Sequence, residues 1–137
     1  MKEVERMALK KTRSEEQARA QLDSISEMVG ELKGAQDTND DTNIENAERA
    51  IQEDALSVEI RSDWHPPGEI GGTTEYVITL CTGGPAVRIT GDLNTYNEPD
   101  TARLEHQDWG TPWTHYPTTN EEEETLLTYA RQFYFGE

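Results

Sequence analysis

The sequence predicts an α+β fold: an N-terminal helical hairpin, a four-stranded antiparallel β-meander and a C-terminal helix packed on the sheet. Three observations carry this expectation. Apolar residues recur every three or four positions up to Leu32, every second position from Val58 to His106, and at helical spacing again after Asn120. A period near 3.6 marks an amphipathic helix and a period of two marks a half-buried strand. The same change of period divides the chain. Residues 1–56 form a helical region with a long helix, an acidic linker and a second helix; residues 57–137 form an acidic antiparallel sheet domain with its C-terminal helix.

Residues 1–33 read as helix. Ala18, Leu22, Ile25, Val29 and Leu32 are spaced four, three, four and three, a narrow seam of the kind that packs on a neighbour within the chain or in a dimer. Val4 and Ala8 are in phase with it, Lys11 and Glu15 interrupt it, and Ser14 with Glu16 and Gln17 reads as a cap for a helix restarting there. The polar run Gly34 to Thr42 is a break. Asp41 or Thr42 caps a second helix with Ile44, Ala47, Ile51 and Ala55 on one face, and a short connector makes the pair an antiparallel hairpin.

The period then becomes two. Val58, Ile60 and Trp64 share one face of a first strand, which Trp64-His65-Pro66-Pro67-Gly68 ends. Tyr76, Ile78 and Leu80 line a second strand, Thr82-Gly83-Gly84-Pro85 is a tight turn, and Val87, Ile89 and Leu93 line a third. After a turn at Tyr96–Asp100, Ala102, Leu104 and His106 line a fourth. Trp109 to Pro117 reads as an aromatic loop, with Trp109 a plug at the sheet edge. Thr119 or Asn120 caps the last helix, Glu121 to Glu124 suit its first turn, and Leu126, Leu127, Ala130, Phe133 and Tyr134 form its stripe.

Composition narrows the function. The chain has 137 residues and is 33% hydrophobic, which suits one compact core rather than two. A single cysteine, Cys81, leaves no intramolecular disulfide and no multi-cysteine zinc site, and a lone thiol fits a reducing compartment. With no apolar run of about 20 residues and no apolar stretch behind the basic N-terminus, the expected location is the cytoplasm. Residues 1–36 carry equal numbers of acids and bases, so the whole formal charge of -16 lies in residues 37–137, and no lysine follows Lys33. Such a field repels nucleic acid and anionic membranes and attracts basic surfaces.

No chemistry-bearing motif stands out. There is neither GxGxxG nor a Walker loop, and Gly83-Gly84 is a hairpin turn. His65, His106 and His115 are too scattered for metal-ligand spacing, so no metal or cofactor is expected. Cys81 reads as an ordinary strand thiol. The outward strand positions Glu59, Arg61, Asp63, Glu75, Thr79, Arg88, Thr90, Asp92, Arg103 and Glu105 make a mixed polar face, either a solvated sheet or a recognition face. Trp113 and Tyr116 stay open as a binding surface, since Trp and Tyr are enriched in interface hot spots.

The strings CTGGPAVRITGDLN, HQDWGTPWTHY and LLTYARQFYFGE, within a stretch beginning at EDALSVEIRSDWH, resemble those of small acidic proteins carried by bacterial phages and other mobile elements. The resemblance carries no catalytic motif; it implies a non-enzymatic inhibitor of host defence, of anti-CRISPR or anti-restriction type, acting in the host bacterial cytoplasm, some such proteins imitating the charge of DNA. On that reading the partner is a basic nucleic-acid-binding protein, a CRISPR effector or restriction enzyme subunit. The candidate contacts are Glu53, Asp54, Glu59, Asp63, Asp92, Glu98, Asp100, Glu105, Asp108, Trp113, Tyr116, Glu121 and Glu122. The alternative is a homodimeric structural or adaptor protein joined through the seam Ala18, Leu22, Ile25, Val29 and Leu32.

Overall fold

The computed structural model describes residues 12–62, 64–69 and 72–135; Val4, Ala8, Lys11 and Asp63 lie outside the described residues. The fold is α+β: two N-terminal helices, a five-stranded antiparallel sheet and a C-terminal helix packed on the sheet. Helix α1 spans Arg13–Asp37 and α2 spans Asp41–Asp54. The strands are β1 (Ser57–Ser62), β2 (Thr73–Cys81), β3 (Ala86–Asp92), β4 (Arg103–Gln107) and β5 (Thr114–Tyr116), followed by α3 (Asn120–Ala130). The sheet runs β1-β2-β3-β4-β5, each strand antiparallel to its neighbour, so the meander is as the sequence predicts with one strand added.

Helix α1 starts two residues earlier than the Ser14 cap expected from sequence. Thr12 is the cap, its Oγ1 accepting from the Glu15 N–H at 3.1 Å, and Ser14 is buried inside the first turn. The expected break at Gly34 does not occur. A single glycine costs a helix only about 1 kcal/mol, and the neighbouring Leu32 and Ala35 stay buried, so the helix runs through it to Asp37. Asn39, at φ 54, makes the turn instead, and Asp40 caps α2 by accepting from the Asn43 N–H at 3.1 Å.

The seam Ala18, Leu22, Ile25, Val29 and Leu32 is buried within the chain, against β3, β4, α2 and α3. That corrects the alternative of a dimer joined through this seam: a stripe already covered in cis has no surface left to offer a second copy. One core holds this seam together with Tyr76, Ile78, Val87, Ile89 and Leu104 of the sheet and Leu126, Tyr129 and Ala130 of α3. The helical region and the sheet therefore share a core instead of each burying its own.

Three residues depart from the expected pattern, each where a covering element ends. Val58 and Ile60 face the helical side, as their register with Ile78 and Tyr76 requires. But β1 is the outermost strand and the helices stop short of it, leaving Ile60 45% exposed and Trp64 fully exposed. At the other end α3 stops at Ala130, so Tyr134 is exposed and Phe135 takes the buried place, 5.1 Å from the Tyr76 ring. Strand β5 was hidden in the aromatic loop because three residues between Pro112 and Pro117 are too few to show alternation. Gly91 is required where β3 crosses Tyr76: a Cβ there would run into the Thr101 carbonyl oxygen and sit 2.8 Å from the Tyr76 ring.

Candidate functional site

With helices on one face, the other face of the sheet is open. It presents Glu59, Arg61, Glu75, Thr79, Arg88, Thr90, Asp92, Arg103 and Glu105, and a shallow groove of about 780 Å³ runs across these residues to Trp113. Cross-strand neighbours pair here. Arg61 bonds Glu75, its partner in register, and Arg88 Nε donates to Glu105 Oε1 at 2.8 Å. The Arg88 guanidinium also lies 3.9 Å from the centre of the Trp113 ring, a cation–π contact. Trp113 is therefore half-buried over Arg88. The open face carries four carboxylates and three arginines, so it is close to neutral in a chain whose net charge is -16.

The charge surplus lies elsewhere. The three helices hold fifteen carboxylates and four bases. Asp41, Glu45 and Glu48 recur at one-turn intervals along α2, and Asp23, Glu27 and Glu31 do so along α1, which places each set on one side of its helix. In α3, Glu121 to Glu124 crowd the first turn, where the helix dipole favours anions. Among the described residues the ion pairs are Arg19 with Asp23 and Glu122, Arg61 with Glu75 and Arg88 with Glu105. Of the fifteen helical carboxylates, only Asp23 and Glu122 belong to these ion pairs.

The candidate contacts read from sequence do not gather in one place. Glu53 is exposed on α2; Glu59 and Asp92 lie on the open sheet face; Glu98 and Asp100 sit in the turn before β4; Glu121 is exposed on α3. Four others serve the fold. Asp54 accepts from the Tyr129 hydroxyl at 2.7 Å, and burial, with Asp54 beside it, pushes that phenol far above its ordinary pKa. Glu105 is held by Arg88. Glu122 closes a capping box with Thr119 and accepts from Arg19 at 2.8 Å; the Thr119 N–H and then Arg19 hold its carboxyl below the usual range. Asp108 accepts from the Ser14 N–H at 3.0 Å and the Ser14 hydroxyl at 2.7 Å.

Of the aromatic residues, Trp109 is 87% exposed, which corrects its reading as a sheet-edge plug. Its backbone and Cβ rest against Gly84 of the β2–β3 turn, and the ring projects into solvent. Tyr116 is half-buried on the helical side, its ring edge-on to His106 at 6.2 Å. Trp113 and Tyr116 thus lie on opposite faces of the sheet and do not form one surface.

The sequence reading missed the network that ties α1 to β4. Ser14 Oγ lies 2.7 Å from His106 Nδ1 and 3.2 Å from Thr12 Oγ1 while donating to Asp108. Proton counting orients it. A carboxylate only accepts, so the one hydroxyl proton of Ser14 goes to Asp108; His106 Nδ1 must then carry a proton and donate to Ser14. Ser14 and His106 are both buried, 92 positions apart, a separation no local motif can signal. Ser14 is enclosed and Asp108 contacts the serine instead of orienting the imidazole, so this trio does not have the arrangement of a nucleophilic triad.

Other reactive groups are dispersed. Burial pushes the Cys81 thiol up, which disfavours the thiolate, and its Sγ is 3.9 Å from the Pro85 carbonyl oxygen. Among the described residues no cluster of three His, Cys, Asp or Glu side chains is placed to hold a metal ion, and no helix is long and apolar enough to cross a membrane. No protein-family model, no curated protein and no solved structure matches this chain.

Proposed function

We propose that this chain is a non-catalytic acidic binding protein whose helical layer engages the basic, nucleic-acid-binding surface of another protein. The observation that carries the reading is the segregation of charge: three helices with fifteen carboxylates against four bases, and a sheet face on the other side that is nearly neutral. An evenly spread surplus would serve solubility alone. A one-sided surplus gives the molecule an electrostatic front, which steers a basic partner and orients the encounter.

The finer reading is inhibition of a host defence nuclease, of anti-CRISPR or anti-restriction type, with the rows on α1 and α2 standing where phosphates would. Duplex DNA carries one charge per roughly 1.7 Å of axis, whereas one-turn spacing on a helix places carboxylates about 5–6 Å apart. The imitation is of the field, not of the charge density. A competition assay tests it. A labelled duplex bound to a CRISPR effector complex or a restriction endonuclease is titrated with the protein and followed by fluorescence anisotropy. Displacement of the duplex is the expected result. A ternary complex, or no interaction with either class of enzyme, would overturn the defence reading.

A further inference from the structure

The free edge of the sheet carries opposite charges on the two sides of Ile60, Glu59 before it and Arg61 after it. Strand β1 pairs on one side only, with β2, while the opposite edge is protected: β5 has three residues between Pro112 and Pro117. Nothing blunts β1 in that way; its six residues Ser57–Ser62 include no proline. The Arg61 carbonyl faces β2, accepting from Thr74 Oγ1 at 3.4 Å. Backbone groups alternate in direction along a strand, so Val58, Ile60 and Ser62 direct theirs to the open edge.

We infer that β1 docks against β1 of a second copy of this chain, antiparallel about a two-fold axis at Ile60, joining two five-stranded sheets into one. In that register Ile60 faces Ile60, Val58 faces Ser62, and the outward-directed backbone groups of those residues bond one another. On the open face Glu59 comes opposite Arg61 of the second copy, and Arg61 opposite its Glu59. Each Arg61 then lies between Glu75 of its own chain and Glu59 of the second copy, an attraction at this edge between chains that carry -16 each and repel over the helical layer. Glu59 has no ion-pair partner among the described residues, and in the dimer Arg61 of the second copy lies opposite it.

The apolar residue at the axis obeys the same symmetry. Ile60, 45% exposed, meets its own copy across the axis, whereas Leu56 and Trp64, also exposed, lie beyond the two ends of β1 and outside the paired segment. Among the described residues six large apolar side chains are exposed, and the axis covers Ile60 of these. A one-residue slip would place Glu59 against Ile60 and lose each of these matches, which is why the pairing is specific. The inference is independent of the proposed function, because it uses the sheet edge and not the helical layer.

Sedimentation velocity over a range of protein concentration tests the pairing, with charge swaps to test the register. The wild type is expected to show a monomer–dimer equilibrium. Glu59→Arg alone, or Arg61→Glu alone, sets like charges opposite each other and weakens the dimer about tenfold or more. The double variant Glu59→Arg, Arg61→Glu restores opposite charges and the dimer. In a Cys81→Ser background, Ile60→Cys should form a disulfide-linked dimer on oxidation, since directly opposed residues lie about 5.5 Å apart at Cα. Val58→Cys should not, because the axis separates the two copies of that residue by about 13 Å. A wild type that stays monomeric at the highest attainable concentration overturns the inference. So does a dimer indifferent to the single swaps, or one that crosslinks through position 58 and not 60.

Discussion

Replacing Ser14 by alanine removes the one hydroxyl that joins three groups at the start of α1. The cost can be worked from the contacts. His106 Nδ1–H loses its acceptor in a buried site, and a buried donor left unmade costs about 1–3 kcal/mol. Asp108 is half-buried and regains water, so its share is small. Alanine is a better helix former than serine by about 0.5 kcal/mol, which offsets part of the loss. The net expectation is about 2 kcal/mol, or roughly 8 °C in Tm for a chain of this size. Thermal unfolding followed by circular dichroism at pH 7 measures it. The pH dependence has a defined sign. The Ser14 hydroxyl, first among the causes, holds the Asp108 carboxyl below its ordinary value of 3.8. A depressed folded pKa contributes stability above the unfolded value, and that contribution is lost as pH falls through the folded one. The gap between wild type and Ser14→Ala is therefore full at neutral pH and narrows below about pH 4. A variant within 0.5 kcal/mol of wild type at about pH 7 would refute the reasoning, as surface substitutions typically fall in that range.

Three further substitutions report on other parts of the account. Gly91→Ala should cost roughly 1–3 kcal/mol in urea unfolding, because its Cβ meets the Thr101 carbonyl and the Tyr76 ring; an unchanged midpoint would show that the strand crossing is looser than described. Glu122→Ala should lose about 1 kcal/mol with the capping box and the Arg19 pair, whereas Glu122→Gln keeps the reciprocal cap bond and loses less; equal effects would assign the whole contribution to charge. Trp113→Ala should cost about 1 kcal/mol through its stacking on Arg88, while Trp109→Ala leaves stability within about 0.5 kcal/mol, a contrast that differential scanning calorimetry resolves.

The elements that the sequence revealed are those whose pattern is local. Tyr76, Ile78 and Leu80 alternate because β2 has one covered face, and Thr119 with Glu122 is a capping signature readable at three-residue spacing. What stayed hidden depends on distant partners. Whether the α1 seam packs in cis or in trans cannot follow from its spacing; its burial against β3 and β4 decides it. The exposure of Ile60 follows from β1 being an edge strand, a property of the sheet order. The candidate contacts divided for a related reason. Charge marks all carboxylates alike, but Asp54, Asp108 and Glu122 are engaged by Tyr129, Ser14 and Arg19, partners 75 to 103 residues away in sequence. His106 was placed on the inward face by alternation, yet nothing near it pointed to Ser14.

The proposed function turns on which side of the molecule carries the electrostatic front. A direct measurement is the salt dependence of partner binding for three forms of the protein: wild type, Asp41→Asn/Glu45→Gln/Glu48→Gln in the helical layer, and Glu59→Gln/Asp92→Asn on the open sheet face. Exposed charges are screened beyond about 8 Å at physiological ionic strength. Affinity of the wild type should therefore fall steeply with added salt, mainly through slower association. The helical variant should bind more weakly with a shallower salt slope, and the sheet-face variant should behave as wild type. A salt-independent affinity, or a slope flattened by the sheet-face variant and not by the helical one, would contradict the account.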